Sequence, residues 1–329
     1  MSEVDPDVWA AAARRLAPVA PPPPGALTSI PARRGARVVV VAGPGVLAAR
    51  ASHPLRTLAG ITGATVVSSV GAKGLFAWDD PLHGGTVGLQ AEDPTLAEIT
   101  TADLVVTTGL DPAESVTLTV ALGDRAAAEP TSVVDIHPAH LALAAGGWPP
   151  ADGPGQRPPI YDRIAAVVGP MYDEGWADAM GEAAVAPPRA ARALATALPE
   201  GGLVVAPPGP TGFWIGRTFP TSVPGSVIVP TGDPEGAAEA VALEAARPGR
   251  PTTLVVAAHE LPATVADGSL VALAAAEQLP LTVEVWTDGR SDAEHDPARR
   301  RVTVDWSALE ALVAVAGEPD PATWPGRAS

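Results

Sequence analysis

The stretch "RVVVVAGPGV", residues 37–46, sets four valines in a row ahead of Gly43-Pro44-Gly45. A half-solvated strand alternates polar and apolar residues, whereas an unbroken β-branched run describes a strand covered on both faces, as in a parallel sheet flanked by helices. The signature recurs in "ATVVSS" (64–69), "DLVVTTG" (103–109) and "SVVDIHP" (132–138), with helical sequence such as "HPLRTLAGITG" (53–63) and "PTLAEITTA" (94–102) in between. Strand alternating with helix gives an α/β fold with a doubly wound parallel sheet.

A second series starts at "VAPPRAARAL" (185–194). Its strands read "GGLVVAPPG" (201–209), "SVIVPTG" (226–232), "PTTLVVAA" (251–258) and "LPLTVEVW" (279–286). Its helices read "PEGAAEAVALEAA" (234–246), "SLVALAAAEQ" (269–278) and "DWSALEALVAVAG" (305–317). The expected architecture is two tandem doubly wound parallel-sheet (Rossmann-like) domains. Residues 1–34, with one short amphipathic stretch (Val8 to Leu16) and four consecutive prolines, read as a Pro-rich N-terminal arm. Residues 35–150 form the first domain, 151–186 a linker with helices and 187–329 the second domain.

Composition narrows the function classes. At 47% hydrophobic and 18% charged the chain is built to pack. A net charge of -16 repels nucleic acid and anionic membrane, so neither is an expected partner. The absence of cysteine removes disulfides, iron–sulfur clusters and thiol nucleophiles. The first residues carry neither a basic signal-peptide start nor an apolar run of spanning length, which gives a cytoplasmic expectation.

The residues that stand out lie at strand ends. Gly43 and Gly45 let the chain turn sharply after the first strand, where amides at a following helix start can meet an anion. Lys73 is the only lysine among the 21 Lys and Arg residues, bracketed by Gly71 and Gly74. Asp135 closes the strand "SVVD" and Gly232 ends "VPTG". In an open α/β sheet these carboxyl ends form the binding crevice, and Gly43, Gly45, Lys73 and Asp135 are expected to line it. His137 and His140 stand three apart without a third ligand, and Trp214 and Trp286 read as core.

Taken in order, "VVVVAGPGV", "GATVVSSVGAKGLFAWDDPLHGGTVG", "ADLVVTTG" and "SVVDIHPAHL" resemble the central domain of thiamine diphosphate-dependent enzymes of the acetolactate synthase and 2-oxo acid decarboxylase group. Members of that group show Gly-x-Gly after the first strand, a Gly-Lys-Gly block and a "VDIDP" strand end, and Asp80 stands where a histidine often precedes "PL". Less strongly, "GGLVVAPPGPTGFWIGRTF", "VPTGDPEGAAEAVALEAARPGRP" and "AAAEQLPLTVEVW" resemble the diphosphate-binding C-terminal domain of the same family.

The resemblance implies FAD, ADP or coenzyme A in the central domain, near Gly43, Gly45, Gly71, Lys73, Gly74 and Asp135. It implies thiamine diphosphate and magnesium in the second domain, near Gly232. The family holds its metal through Gly-Asp-Gly and a later Asn-Asn; here those places read His259, Glu260, Leu261, Pro262 and Thr287, Asp288, which leaves Glu260 and Asp288 as metal candidates. No catalytic residue is assigned, because the family's activating glutamate belongs to an N-terminal pyrimidine-binding domain that is expected to be missing. The expected function is a family homologue that is not catalytic alone and acts as a nucleotide- or partner-binding protein. The alternatives are a lyase or carboligase on 2-oxo acids completed in trans by a subunit carrying the missing domain, and an assembly protein with vestigial sites. Family members associate, so a homo-oligomer or that complementing subunit is the expected partner.

Overall fold

The computed structural model describes residues 6–17, 34–112, 114, 132–151, 153, 155–173, 184–288, 299–321 and 323–324. Two five-stranded sheets carry the fold, and every pairing within them is parallel. The first contains β1 (Val38–Ala42), β2 (Thr65–Ser69), β3 (Thr86–Val87), β4 (Leu104–Thr108) and β5 (Ser132–Asp135) in the order β3-β2-β1-β4-β5. The second contains β6 (Leu203–Val205), β7 (Val227–Ile228), β8 (Thr252–Ala257), β9 (Leu281–Thr287) and β10 (Arg299–Thr303) in the order β7-β6-β8-β9-β10. Both are doubly wound orders, and the α/β expectation holds.

The helices are α1 (Pro6–Leu16), α2 (Gly45–Ala48), α3 (Ser52–Thr62), α4 (Asp93–Leu96), α5 (Leu141–Gly146) and α6 (Pro159–Met171). They continue as α7 (Pro187–Ala197), α8 (Pro210–Thr218), α9 (Ala237–Ala246), α10 (Ala263–Ala266), α11 (Ser269–Ala276) and α12 (Leu309–Ala316).

The valine run of β1 is buried at all five positions because the strand is central, hydrogen-bonded to β2 on one side and β4 on the other. Its side chains alternate between two cores. Val38 and Val40 point into a cluster with Leu55, Leu58 and Leu141, while Val39 and Val41 share one with Val204, Phe213, Trp214 and Trp286. That second cluster crosses from one sheet to the other through α8, every residue of which is buried. A helix apolar all round its circumference belongs in the middle of a molecule, and α8 is the layer that both sheets share.

On the far side of the second sheet, Leu203, Val205, Leu254 and Val256 pack with Val241 and Leu243 of α9. Val8 and Ala12 of α1 join this cluster, and Arg247 stacks on Trp9 with 5.3 Å to the ring centroid. The amphipathic stretch of the arm is thus a docked helix.

Two strands depart from the sequence expectation. The "SVVD" run reads as covered on both faces, but β5 is an edge strand, mostly exposed, with Val133 49% accessible. β10, "RRRVT", has no apolar run and went unforeseen; as the opposite sheet's edge it lies half exposed, where three arginines are tolerated. Trp214 and Trp286 are core residues, both 0% exposed.

Candidate functional site: two strand-end crevices and a sealed lysine

Strand order reverses between β1 and β4 in the first sheet and between β6 and β8 in the second, and ligands of open α/β sheets bind outside the carboxyl ends there. At the first reversal the chain has used its own backbone. Gly43 N–H donates to Thr108 O (2.8 Å), Gly45 N–H to Gly109 O (2.8 Å) and Val46 N–H to Gly43 O (3.1 Å), while Pro44 has no N–H. The amides that would cradle a phosphate are committed, and α2, which follows, is only four residues long.

These contacts explain the glycines. A Cβ on Gly43 would lie 2.6 Å from the Gly109 carbonyl carbon and closer still to its oxygen, and one on Gly45 2.9 Å from Gly109 Cα. Gly109 itself, at φ 63°, would drive a side chain to 2.7 Å from Val46 N. Gly43→Ala is therefore expected to destabilise the fold by about 1–3 kcal/mol through overpacking, measured by urea unfolding; an unchanged midpoint would mean that the two turns can separate freely.

Gly71 lies at a second convergence, between the sheets. Its amide donates to Glu114 Oε1 (2.8 Å), and the other Glu114 oxygen accepts Asp111 N–H (3.1 Å). The buried Arg15 side chain, carried in from α1, enters this gap. Its Nε donates to Asp233 Oδ2 (2.7 Å), its Nη2 to Thr231 O (2.8 Å), and its Nη1 pairs with Asp111. Gly232, at φ 72°, is the link that lets Thr231 and Asp233 face the same guanidinium. Burial, with Glu114 and Asp233 adding repulsion against the pull of Arg15, pushes the Asp111 carboxyl up to about 6. The Arg15 guanidinium is itself the cation that Asp111 and Asp233 hold. Gly71 and Gly232 do come together, but around a carboxylate of their own chain.

A cavity of about 440 Å³ opens at the second reversal. Its lining includes Asp233, Glu235, Glu239 and Glu260 together with six prolines, among them Pro207, Pro208 and Pro210. Glu239 sits in the first turn of α9 and, with burial pushing its carboxyl up, answers the positive end of that helix from within. Glu260 accepts a hydrogen bond from Trp324 and lies against Gly209, whose φ of 123° no side chain would favour. Asp288 follows β9, and β8 and β9 are neighbours. Among the described residues no group of three or more His, Asp or Glu side chains is placed to hold a metal. The donor set does not fit a magnesium diphosphate: four carboxylates and no lysine or arginine line the cavity, and that charge repels a polyanion.

The remaining candidates sit elsewhere. Asp135 ends the edge strand β5 and accepts the Thr107 hydroxyl (2.8 Å). Gly74 touches the second sheet's β7 region, since its carbonyl accepts Gly225 N–H (2.8 Å) and a Cβ there would meet Val227 N at 3.2 Å. Lys73 is 1% exposed, with Nζ 4.5 Å above the Trp78 ring centroid. Burial first, and then the charge of Arg217, lower its amine from 10.5 to about 7. Sequence reasoning passed over Arg15, Asp111, Glu114 and Asp233; the sole signal was the basic pair Arg14-Arg15 at the end of an amphipathic stretch.

Comparison with known proteins agrees with this architecture. Residues 33–145 match the family model for the thiamine pyrophosphate enzyme, central domain. Among solved structures, the chain is similar to one from Mycobacterium smegmatis described as a "putative thiamin diphosphate-dependent enzyme", at 17% identity and a TM-score of 0.50. The match covers 87% of this chain and 60% of that one, so this chain spans less than two thirds of the neighbour's length, and the likeness is one of fold. Curated proteins give no match. No helix among the described residues is long and apolar enough to cross a membrane.

Proposed function

We propose that this chain, a member of the thiamine pyrophosphate enzyme family through the central domain at residues 33–145, acts by binding a partner protein and does not turn over substrate by itself. The observation that carries the reading is the commitment of the anion-binding amides at the first crevice, beside the four carboxylates that line the second. The amides of Gly43 and Gly45 are bonded to Thr108 and Gly109 after β4, that of Val46 to Gly43, and that of Gly71 holds Glu114. The cavity at the second sheet is lined by four carboxylates and no basic side chain, which opposes a diphosphate. FAD, ADP and coenzyme A each carry a diphosphate, so the same argument weighs against a nucleotide in the first sheet. Partner binding is the branch of the expectation that these committed groups leave open.

The test is a calorimetric titration of the purified chain with thiamine diphosphate plus magnesium, followed by FAD, ADP and coenzyme A. No heat is expected from any of them, together with co-purification of a defined partner from cells that express the chain at native level. Micromolar binding of thiamine diphosphate would overturn the reading in favour of an enzyme completed in trans. Binding of one of the nucleotides would overturn the partner reading in favour of nucleotide binding at the first sheet.

A further inference from the structure

Lys73 is the least comfortable charged group among the described residues. A lysine ammonium has three donors and no way to accept, and buried donors in proteins are satisfied by protein, water or an ion. Nζ has no hydrogen-bond partner, although the Trp78 face covers one side of it. Its surroundings repeat the pattern. His83 is 1% exposed, its ring centroid is 5.5 Å from that of Trp78, and neither ring nitrogen has a partner. Two backbone links, Trp78 N–H to Thr221 O (2.8 Å) and Gly225 N–H to Gly74 O (2.8 Å), fasten this loop to the second sheet's elements. On the segment they fasten, the Thr221 and Ser226 hydroxyls are both buried and both without partners.

The charges around this cluster have one dominant sign. Burial lowers both the Lys73 amine and the His83 imidazole; Arg217 adds to the first, Lys73 and Arg157 add to the second, and Asp80 pulls His83 back the other way. The nearby carboxylates have other partners: Asp93 is bonded to Arg217, and Asp80 to Arg56. Tyr161, which packs edge-on to His83 at 5.8 Å between centroids, donates to Trp78 O. In a chain of net charge -16 this seam gathers buried groups that can all donate.

From these orphaned donors we infer that Lys73 holds a small inorganic anion, in the size class of chloride, at the seam between the two sheets, with His83 and the Thr221 and Ser226 hydroxyls as neighbouring donors. The enclosure sets the size limit, since a nucleotide could not be seated without parting the sheets. Among the described residues the carboxylates nearest this cluster, Asp93 and Asp80, are each paired with an arginine, which sets the sign. This site is independent of the crevices above and of what the chain binds there.

The experiment compares thermal unfolding in chloride, bromide and gluconate at fixed ionic strength, at pH 6.5 and at pH 9. A saturable rise in Tm of about 2–4 °C is expected for the halides at pH 6.5. It should shrink at pH 9, where the amine is largely neutral, and vanish in Lys73→Met. A bromide-soaked crystal should give an anomalous peak beside Nζ, which decides the matter even if Lys73→Met fails to fold. Equal Tm values in halide and gluconate, a halide gain that survives in Lys73→Met, or no bromide peak at Nζ would overturn the inference.

Discussion

Arg217→Met is expected to lower the stability of the chain by about 3–5 kcal/mol, the range for removing one partner of a buried ion pair. Asp93 is 0% exposed and Arg217 2%. Arg217 Nη2 reaches both Asp93 oxygens, at 2.7 and 2.9 Å, and its Nη1 donates to Thr86 O (2.9 Å). Asp93 Oδ2 also accepts the amides of Leu89 (2.8 Å) and Gln90 (3.0 Å). Burial pushes the Asp93 carboxyl up, while Arg217 and the two amides pull it down. Without the guanidinium, a carboxylate deep in the shared layer must protonate or stay unpaired, and both cost stability.

The pair also joins the two sheets. Asp93 begins α4, beside the first sheet, and Arg217 lies in α8, the helix between the sheets. Its loss should therefore loosen the seam as well as lower the unfolding midpoint. Urea unfolding followed by tryptophan fluorescence reports both, because Trp214 lies in the same helix. The double variant Asp93→Asn, Arg217→Met should recover a large part of the loss, since the asparagine oxygen still accepts the Leu89 and Gln90 amides without a charge to bury. Equal losses in the single and the double variant would show that the pair is not coupled and that the cost is one of packing.

The sheets were legible because central parallel strands cannot be disguised: β1, β2 and β4 must be apolar on both faces, and their valine runs say so. Edge strands escape that constraint. β10 carries three arginines because one of its sides meets solvent, and β3, two residues long, is too short to leave a pattern, whereas β7, equally short, showed in "SVIVPTG". The site was harder for a different reason. A glycine after a strand states that something must come close, and the sequence does not say what. At Gly43 the neighbour is Gly109, sixty-odd residues on, instead of a phosphate. Arg15 lies still farther from Asp111 and Asp233 in sequence, so its crevice exists only once α1 has docked on α9. Lys73 was conspicuous by composition, but its burial depends on Trp78 and on residues 221–227, which only the folded chain brings together.

The same lysine should leave a clean signature in the pH dependence of stability. In halide-free buffer its amine titrates near 7 in the folded chain and near 10.5 in the unfolded one. Between those values the unfolded state binds the extra proton, so stability rises with pH through this window, approaching about 1.4 kcal/mol per unit. The rise is complete above the unfolded value, and the full penalty, about 3–5 kcal/mol, applies below about pH 7. Few other groups obscure it: the chain has no cysteine, no second lysine and only two tyrosines, one of which, Tyr172, is pushed up by burial. Lys73→Met keeps a similar volume and removes the desolvated amine, so it should flatten the profile between pH 7.5 and 9.5 and stabilise the chain at pH 7. Urea midpoints at half-unit intervals, taken for both proteins in gluconate, make the comparison. Parallel profiles would mean that the Lys73 amine stays charged and solvated in the folded chain, and that the seam around Trp78 opens to water in solution.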